Sequence, residues 1–189
     1  MSNLAYKYED IRTEMLDGKI YAMASASPKH ARVSLRISKI FDNYLRGKRC
    51  EVFPAVDVFL SENDTPVPDI SVVCNKDIIK DKGLYGAPDL VVEILSRSTA
   101  KHDKVYKKAL YGQHGVKEYW VVDPENHSIE VFLLQDNKLE FNDMYTLFDE
   151  FTLSRMCDTK KAELVVNEFK TSLFDDLVIK LEDIFEDVV

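Results

Sequence analysis

Residues 88–124, PDLVVEILSRSTAKHDKVYKKALYGQHGVKEYWVVDP, decide the predicted fold, because they have the pattern of a strand, a loop, a helix and a second strand. The first strand is apolar on both faces, which is typical of a strand in the middle of a covered sheet. Its one charged side chain, Glu93, lies between Val92 and Ile94. Burying an unpaired charge costs on the order of several kcal/mol. The strand therefore needs a cation beside Glu93, and we expect that cation to be a metal ion.

The segments around this unit predict one domain that mixes helices and strands, in the α/β (α+β mixed) class. We take the domain to cover residues 1–189, with a C-terminal extension from about residue 136. The long helix starts at Pro28 with Ser27 as its N-cap and ends near Gly47. The predicted helices cover residues 6–15, 28–47 and 101–114, and the predicted strands cover residues 19–23, 51–60, 67–73, 90–95, 118–123, 128–134, 139–141, 144–151 and 162–169. The last stretch, residues 177–189, is predicted to be a strand with a short helix.

Composition sets limits on function. The 189 residues are 46% hydrophobic and carry a net charge of −8, which argues against a protein that coats nucleic acid through a basic surface. No apolar run has the length of a membrane span, and the N-terminus lacks a signal-peptide pattern, so we expect a cytoplasmic protein.

The three cysteines are few, far apart in the sequence and odd in number. Cys50, Cys74 and Cys157 match neither a disulfide framework nor a CxxC metal pair. The sequence therefore predicts buried or half-buried thiols.

Two acids interrupt successive apolar strands. Asp69 belongs to the segment VPDISVV and Glu93 to the next long strand, and strands joined by a short connection are often neighbours in a sheet. Two carboxylates that converge at one point repel each other, and a divalent cation that binds oxygen ligands removes that repulsion. The alternative, held equally open, is that each acid meets an arginine or a lysine.

The helix of the unit offers the missing positive charge. Lys107 lies just outside one border of its apolar face and Lys108 just outside the other, so either lysine could reach the sheet. A solvated lysine is the alternative at both positions. Counted at about 100° per residue, the apolar face consists of Val105, Tyr106, Ala109 and Leu110.

The sequence resembles a known family. The dipeptide Pro68-Asp69, followed by a strand that carries Glu93, resembles the PD-(D/E)xK pattern of restriction-endonuclease-like nucleases. The wider resemblance is to the Uma-two family of that superfamily, and it runs from about residue 10 to residue 135. The segments that carry it are DGKIYAMASASPKHARV (17–33), PAVDVFL (54–60), VPDISVV (67–73) and residues 88–124.

The resemblance implies a restriction-endonuclease-like core, with a mixed sheet of about four central strands flanked by helices and with β-hairpins added toward the C-terminus. Asp69 matches the first acid of the motif and Glu93 the second. Leu95 stands where the motif has its lysine. In the family this lysine looks relocated to the following helix, in a D-x-x-x-K pattern that Asp103 and Lys107 match.

The implied site holds Mg²⁺ or Mn²⁺ between Asp69, Glu93 and the carbonyl of Ile94. His30 matches a family histidine at the start of the long helix and is expected to face the substrate, although a histidine there can also serve as a helix cap. Glu14, on the predicted first helix, is a further candidate for this surface.

The implied activity is metal-dependent hydrolysis of phosphodiester bonds in nucleic acid, with DNA as the expected substrate. A homodimer is expected as well, because a cut through duplex DNA needs two sites. The net charge of −8 favours an alternative, in which the fold is kept as a binding or dimerisation module with an idle site.

Overall fold

The fold is built around a mixed sheet of six strands, seen in a computed structural model that describes residues 12–96 and 102–188. In the sheet, β7 and β8 are parallel and every other neighbouring pair is antiparallel, in the order β10-β9-β8-β7-β4-β3. The strands are β1 (Thr13–Leu16), β2 (Lys19–Ala22), β3 (Glu51–Pro54), β4 (Ile70–Val73), β5 (Ile79–Lys80), β6 (Gly83–Leu84), β7 (Leu90–Ile94), β8 (Glu118–Asp123), β9 (Ser128–Gln135), β10 (Lys138–Thr146), β11 (Glu168–Lys170) and β12 (Val178–Lys180). The helices are α1 (Pro28–Leu45), a π-helical segment (His102–Lys107) that continues into α2 (Lys108–Gln113), α3 (Glu150–Arg155), α4 (Asp158–Leu164) and α5 (Leu181–Phe185).

The predicted strand, loop, helix and strand of residues 88–124 form the centre of this sheet. β7 and β8 pair in parallel, as two strands joined by a helical crossover must. The sheet has more strands than the four expected at its centre, because the hairpin of β9 and β10 continues it beyond β8. The mixed fold class predicted from the sequence is confirmed.

The sheet is covered on both faces. Leu90, Val92 and Ile94 of β7 face a core that includes the apolar stripe of α1 and the C-terminal elements β12 and α5. Val91 faces the opposite core, which Tyr111 of α2 joins. Side chains alternate along a strand, so Glu93 points with Val91 toward α2. This position decides which groups can reach the carboxylate.

Helix α2 is held close to the turn between β9 and β10. At Gly112, a Cβ atom would lie 3.0 Å from the backbone nitrogen of Leu139 and 3.2 Å from the Cα of Lys138. Only a glycine permits this approach without a shift of backbone. The packing fixes the helix that carries Lys107 and Tyr111 against the sheet.

The long helix begins as predicted, with Ser27 as N-cap accepting a hydrogen bond from the backbone N–H of His30. Arg36 of this helix donates to the carbonyls of Ile184 and Glu186 at the end of α5. Within residues 12–96 and 102–188, no helix combines the length and the hydropathy that a membrane crossing requires.

Four of the predicted elements are wrong in type or extent. The helix predicted over residues 6–15 is β1 from Thr13 onward, where a tight turn pairs the segment with β2; residues 1–11 lie outside the described part. The strand predicted over 51–60 ends at Pro54, because Ala55 has a positive φ of 49°. Residues 150–155 and 158–164 are helical, since Asp149 caps α3 and neither segment has a buried face that would fix a strand in the sheet.

The prediction that all three cysteines are buried or half-buried thiols is also wrong. Cys50 and Cys74 form a disulfide, and Cys157 is an exposed thiol. The pairing of Glu51 with Val73 brings the two cysteines opposite each other, just beyond the ends of β3 and β4. A separation of 24 residues does not reveal such a cross-strand pair in the sequence.

A second carboxylate is buried on the α1 side of the sheet and ties the C-terminal segment to β8. Glu118 is fully buried and accepts hydrogen bonds from the indole of Trp120 at 2.6 Å and from the backbone N–H of Ser172 at 2.7 Å. The Ser172 hydroxyl also donates to it. Burial raises the pKa of Glu118, and the bonds from Ser172 and Trp120 only partly oppose this rise.

From the raised pKa of Glu118 we expect the stability of the protein to depend on pH. Because the pKa of Glu118 is raised in the folded state, Glu118 makes its full contribution to the unfolding free energy below the ordinary glutamate pKa of about 4.3. This contribution is lost as the pH rises through the pKa of the folded state. Glu118→Gln, which cannot ionise, is expected to show a smaller fall in unfolding free energy between acid and neutral pH. Urea unfolding followed by the fluorescence of Trp120 measures this, with the exposed Glu168→Gln as control. Equal pH dependence in wild type and Glu118→Gln would contradict it.

Candidate active site

Glu93 lies at the centre of the candidate site with only 3% of its surface exposed. Its Oε1 atom accepts a hydrogen bond from Lys107 Nζ at 3.1 Å and another from the Tyr111 hydroxyl at 2.8 Å. The cation that the strand pattern required is therefore present in the chain itself. Both donors come from the helical crossover between β7 and β8.

Lys107 is buried between two carboxylates. Its Nζ lies 2.9 Å from Glu14 Oε2 on one side and 3.1 Å from Glu93 Oε1 on the other, and its side chain is 4% exposed. Glu14 also accepts from the backbone N–H of Val67 at 3.4 Å. Glu14 reaches the site from strand β1 and not from the helix predicted for it.

The predicted inward face of the crossover helix is wrong. Val105 and Tyr106 are 59% and 51% exposed, whereas Lys107 and Tyr111 are buried. The first part of this helix is π-helical, which changes the angle between successive side chains, so a count at 3.6 residues per turn misplaces the face. Asp103 of the D-x-x-x-K pattern lies where the structure does not describe side chains.

Asp69 is brought to Glu93 by the pairing of β4 with β7. Ile70 pairs with Val92 in antiparallel register, so Asp69, just before Ile70, and Glu93, just after Val92, lie at the same end of this strand pair. The Oδ2 atom of Asp69 accepts a hydrogen bond from the backbone N–H of Ile94 at 2.7 Å. The register of the two strands therefore brings the backbones of the two acids close together.

His30 reaches Asp69 from the first turn of α1. Its Nε2 atom lies 3.2 Å from Asp69 Oδ2, and its backbone N–H is capped by Ser27. The backbone of His30 therefore takes part in the helix cap. Its ring lies next to Asp69, one of the candidate metal ligands.

The oxygen atoms gathered here fit a small divalent cation. Asp69 and Glu93 supply carboxylates, and the carbonyl of Ile94 leaves the strand on the same edge as its N–H, which points at Asp69. Mg²⁺ binds through one or two carboxylates and keeps several positions for water and phosphate. Residues 12–96 and 102–188 hold no group of three or more His, Cys, Asp and Glu placed to bind a metal.

Tyr111 is the residue of this site that the sequence did not predict. Its hydroxyl is fully buried, and burial raises its pKa well above the ordinary tyrosine range, with the charge of Glu93 adding to the effect. The phenol therefore stays protonated and remains a hydrogen-bond donor to Glu93. Its position four residues after Lys107, one helical turn, was the available signal.

The chain thus combines a mixed six-stranded sheet with an acid before β4, an acid inside β7 and a buried lysine from the crossover. The model of the Uma2 family, described as "Putative restriction endonuclease", matches residues 2–158, and the chain belongs to this family. The resemblance to the Uma-two family seen in the sequence is thereby confirmed.

Three relatives extend this comparison. Two uncharacterised proteins of Synechocystis sp. are similar to the chain: one is 34% identical over 128 residues, which are 66% of this chain and 67% of the relative. The other is 25% identical over 124 residues, which are 63% of this chain and 70% of the relative. A crystal structure of "a putative nuclease belonging to DUF820" from Anabaena variabilis aligns with a TM-score of 0.72 at 19% identity, over 94% of this chain and 91% of that one. This last likeness bears on the fold alone.

The buried triad of Glu14, Lys107 and Glu93 makes a prediction about stability. Lys107→Met leaves two buried carboxylates without their cation, so it is expected to lower the unfolding free energy by about 3–5 kcal/mol. Adding Glu14→Gln removes one of the two charges and should restore part of the loss. Denaturant unfolding measures all three proteins.

The exposed Lys19→Met is the matched control for this experiment. Lys19 lies 4.0 Å from Asp17 with 68% of its side chain exposed, and such surface pairs contribute at most about 1 kcal/mol. A Lys107→Met variant as stable as Lys19→Met would show that the triad does not hold the site together.

Proposed function

We propose that this protein is a metal-dependent endonuclease that hydrolyses phosphodiester bonds in DNA. The observation that carries the proposal is the position of Asp69 and Glu93 at the same end of two paired strands, with Lys107 Nζ 3.1 Å from the Glu93 carboxylate. The family description supports a nuclease of the restriction-endonuclease type and favours DNA over RNA.

Asp69, Glu93 and the carbonyl of Ile94 are the proposed ligands of Mg²⁺ or Mn²⁺. A bound ion of this kind lowers the pKa of a coordinated water and neutralises negative charge on a phosphate. The oxygen-only ligand set supports Mg²⁺ or Mn²⁺ over softer metals. The protein contributes by fixing the two carboxylates in one register of the sheet, so little reorganisation is needed when the ion binds.

Lys107 is proposed to orient the attacking water or to stabilise the charge that develops on the phosphate. The motif position Leu95 carries no charge, and Lys107 reaches the same carboxylate from the crossover helix. Glu14 holds this lysine in place, since its carboxylate lies 2.9 Å from Nζ. His30 supports Asp69 in the same way, and the ring of His30 is close enough to the ligands to meet a bound phosphate as well.

The proposal includes two broader expectations. A cut through both strands of a duplex requires two sites, so we propose a homodimer as the active form. A cytoplasmic location, expected from the sequence, is also part of the proposal.

The proposal is tested by Mn²⁺ titration calorimetry together with cleavage assays on single-stranded and double-stranded DNA and RNA. Asp69→Asn and Glu93→Gln are expected to lose Mn²⁺ binding and cleavage, because each removes a ligand charge. Lys107→Met is expected to keep Mn²⁺ binding and to lose cleavage by about 100-fold or more, since one group that stabilises charge in the transition state contributes on that scale.

Asp89→Asn is the matched control, because Asp89 is an acid at the opposite end of β7. It accepts from the backbone N–H of Cys74 and pairs with Lys117 at 2.7 Å, away from the candidate ligands. We expect its Mn²⁺ binding to equal that of wild type. A wild-type protein that binds no Mn²⁺ at millimolar concentration would instead support the idle binding or dimerisation module, which the net charge of −8 favours.

A further inference from the structure

The hydroxyl of Tyr111 is a polar group buried in an apolar core. The residue has no exposed surface, and its ring belongs to the apolar core between the sheet and α2, 5.4 Å from the ring of Tyr119. A phenylalanine would fill the same core without burying a polar atom, and burying a hydroxyl costs free energy unless it is hydrogen-bonded. The bond that offsets this cost is the one to Glu93 Oε1 at 2.8 Å.

Tyr111 and Lys107 donate to the same oxygen of Glu93. A carboxylate oxygen has two lone pairs, and Oε1 meets one donor at 2.8 Å and the other at 3.1 Å. The carboxylate is therefore fixed in rotation as well as in position.

We propose that Tyr111 is a positioning residue for cation binding, which holds the Glu93 carboxylate in the orientation in which it binds the cation proposed for this site. The inference rests on the proposed function of the site and assigns a role within it to a residue outside the PD-(D/E)xK motif. Groups that orient a metal ligand typically change metal affinity by about 10–100-fold when they are removed.

Lys107 alone would not fix the carboxylate. The lysine is shared between Glu93 and Glu14, at 3.1 and 2.9 Å, and an ammonium group makes no demand on the rotation of a carboxylate. The phenol is carried by a ring packed in the core, so its oxygen has one direction in which to donate. Tyr111 thus sets the geometry of Glu93, while Lys107 supplies its charge.

Mn²⁺ titration calorimetry of Tyr111→Phe tests the role directly. We expect Mn²⁺ to bind about 10–100-fold more weakly than in wild type, and cleavage to need correspondingly more Mn²⁺ for half its maximal rate. At saturating Mn²⁺ the maximal rate should return to near the wild-type value, because the reacting groups are intact. A residue that only packs the core would not produce this division between metal requirement and maximal rate.

Tyr44→Phe is the matched control. Tyr44 also donates its hydroxyl to a carboxylate, that of Asp176, on the α1 side of the sheet. The same atom is removed from the same kind of bond, away from the candidate ligands. Its Mn²⁺ affinity is expected to equal that of wild type.

Tyr111→Met separates the hydroxyl from the packing of the ring. Both variants of Tyr111 lack the donor but fill the core differently, so an equal loss of Mn²⁺ affinity in the two supports the inference. A loss in Tyr111→Met alone, or wild-type affinity in Tyr111→Phe, overturns it and leaves the proposed function intact. A wild-type protein that binds no Mn²⁺ overturns the proposed function and this inference together.

Discussion

The buried charge of Glu93 is the constraint on which the rest of the site depends. A carboxylate inside a covered strand is tolerated only where donors and positive charge compensate for the loss of water, and here Lys107 and Tyr111 do so at one oxygen. The lysine in turn pairs with Glu14, whose carboxylate lies 2.9 Å from its Nζ. The need to compensate one charge thus draws three elements together around β7.

Sheet topology supplies the second half of the site. The antiparallel pairing of β4 and β7 sets Asp69 opposite Glu93, and the parallel pairing of β7 and β8 requires a crossover that carries its helix over the same face. Gly112 lets that helix approach the β9–β10 turn closely enough to direct its side chains at the sheet. The topology therefore brings together two acids and a lysine that come from three separate segments of the chain.

Local pattern was sufficient wherever a feature depended on neighbours in the sequence. The covered strand, the N-cap at Ser27 and the strand after the crossover were all predicted correctly, because each is determined by apolar periodicity or a single capping group. The first strand of the first hairpin was missed because Tyr8, Ile11 and Met15 have the spacing of a helix, whereas its second strand was predicted. The cross-strand disulfide was missed because the register of β3 on β4 exists only in the folded chain.

The sequence by itself determined that Glu93 had to be compensated, and it indicated Asp69 as a candidate partner because both acids interrupt successive apolar strands. It left open whether the compensating cation is a metal ion or the side chain of an arginine or a lysine. Only the tertiary structure decided that Lys107 and Tyr111 face inward while Val105 and Tyr106 face solvent, and that Glu14 completes the triad. The reason is physical: the direction of a helix face and the partner of a buried charge depend on contacts between segments 14 to 93 residues apart, which local periodicity does not encode.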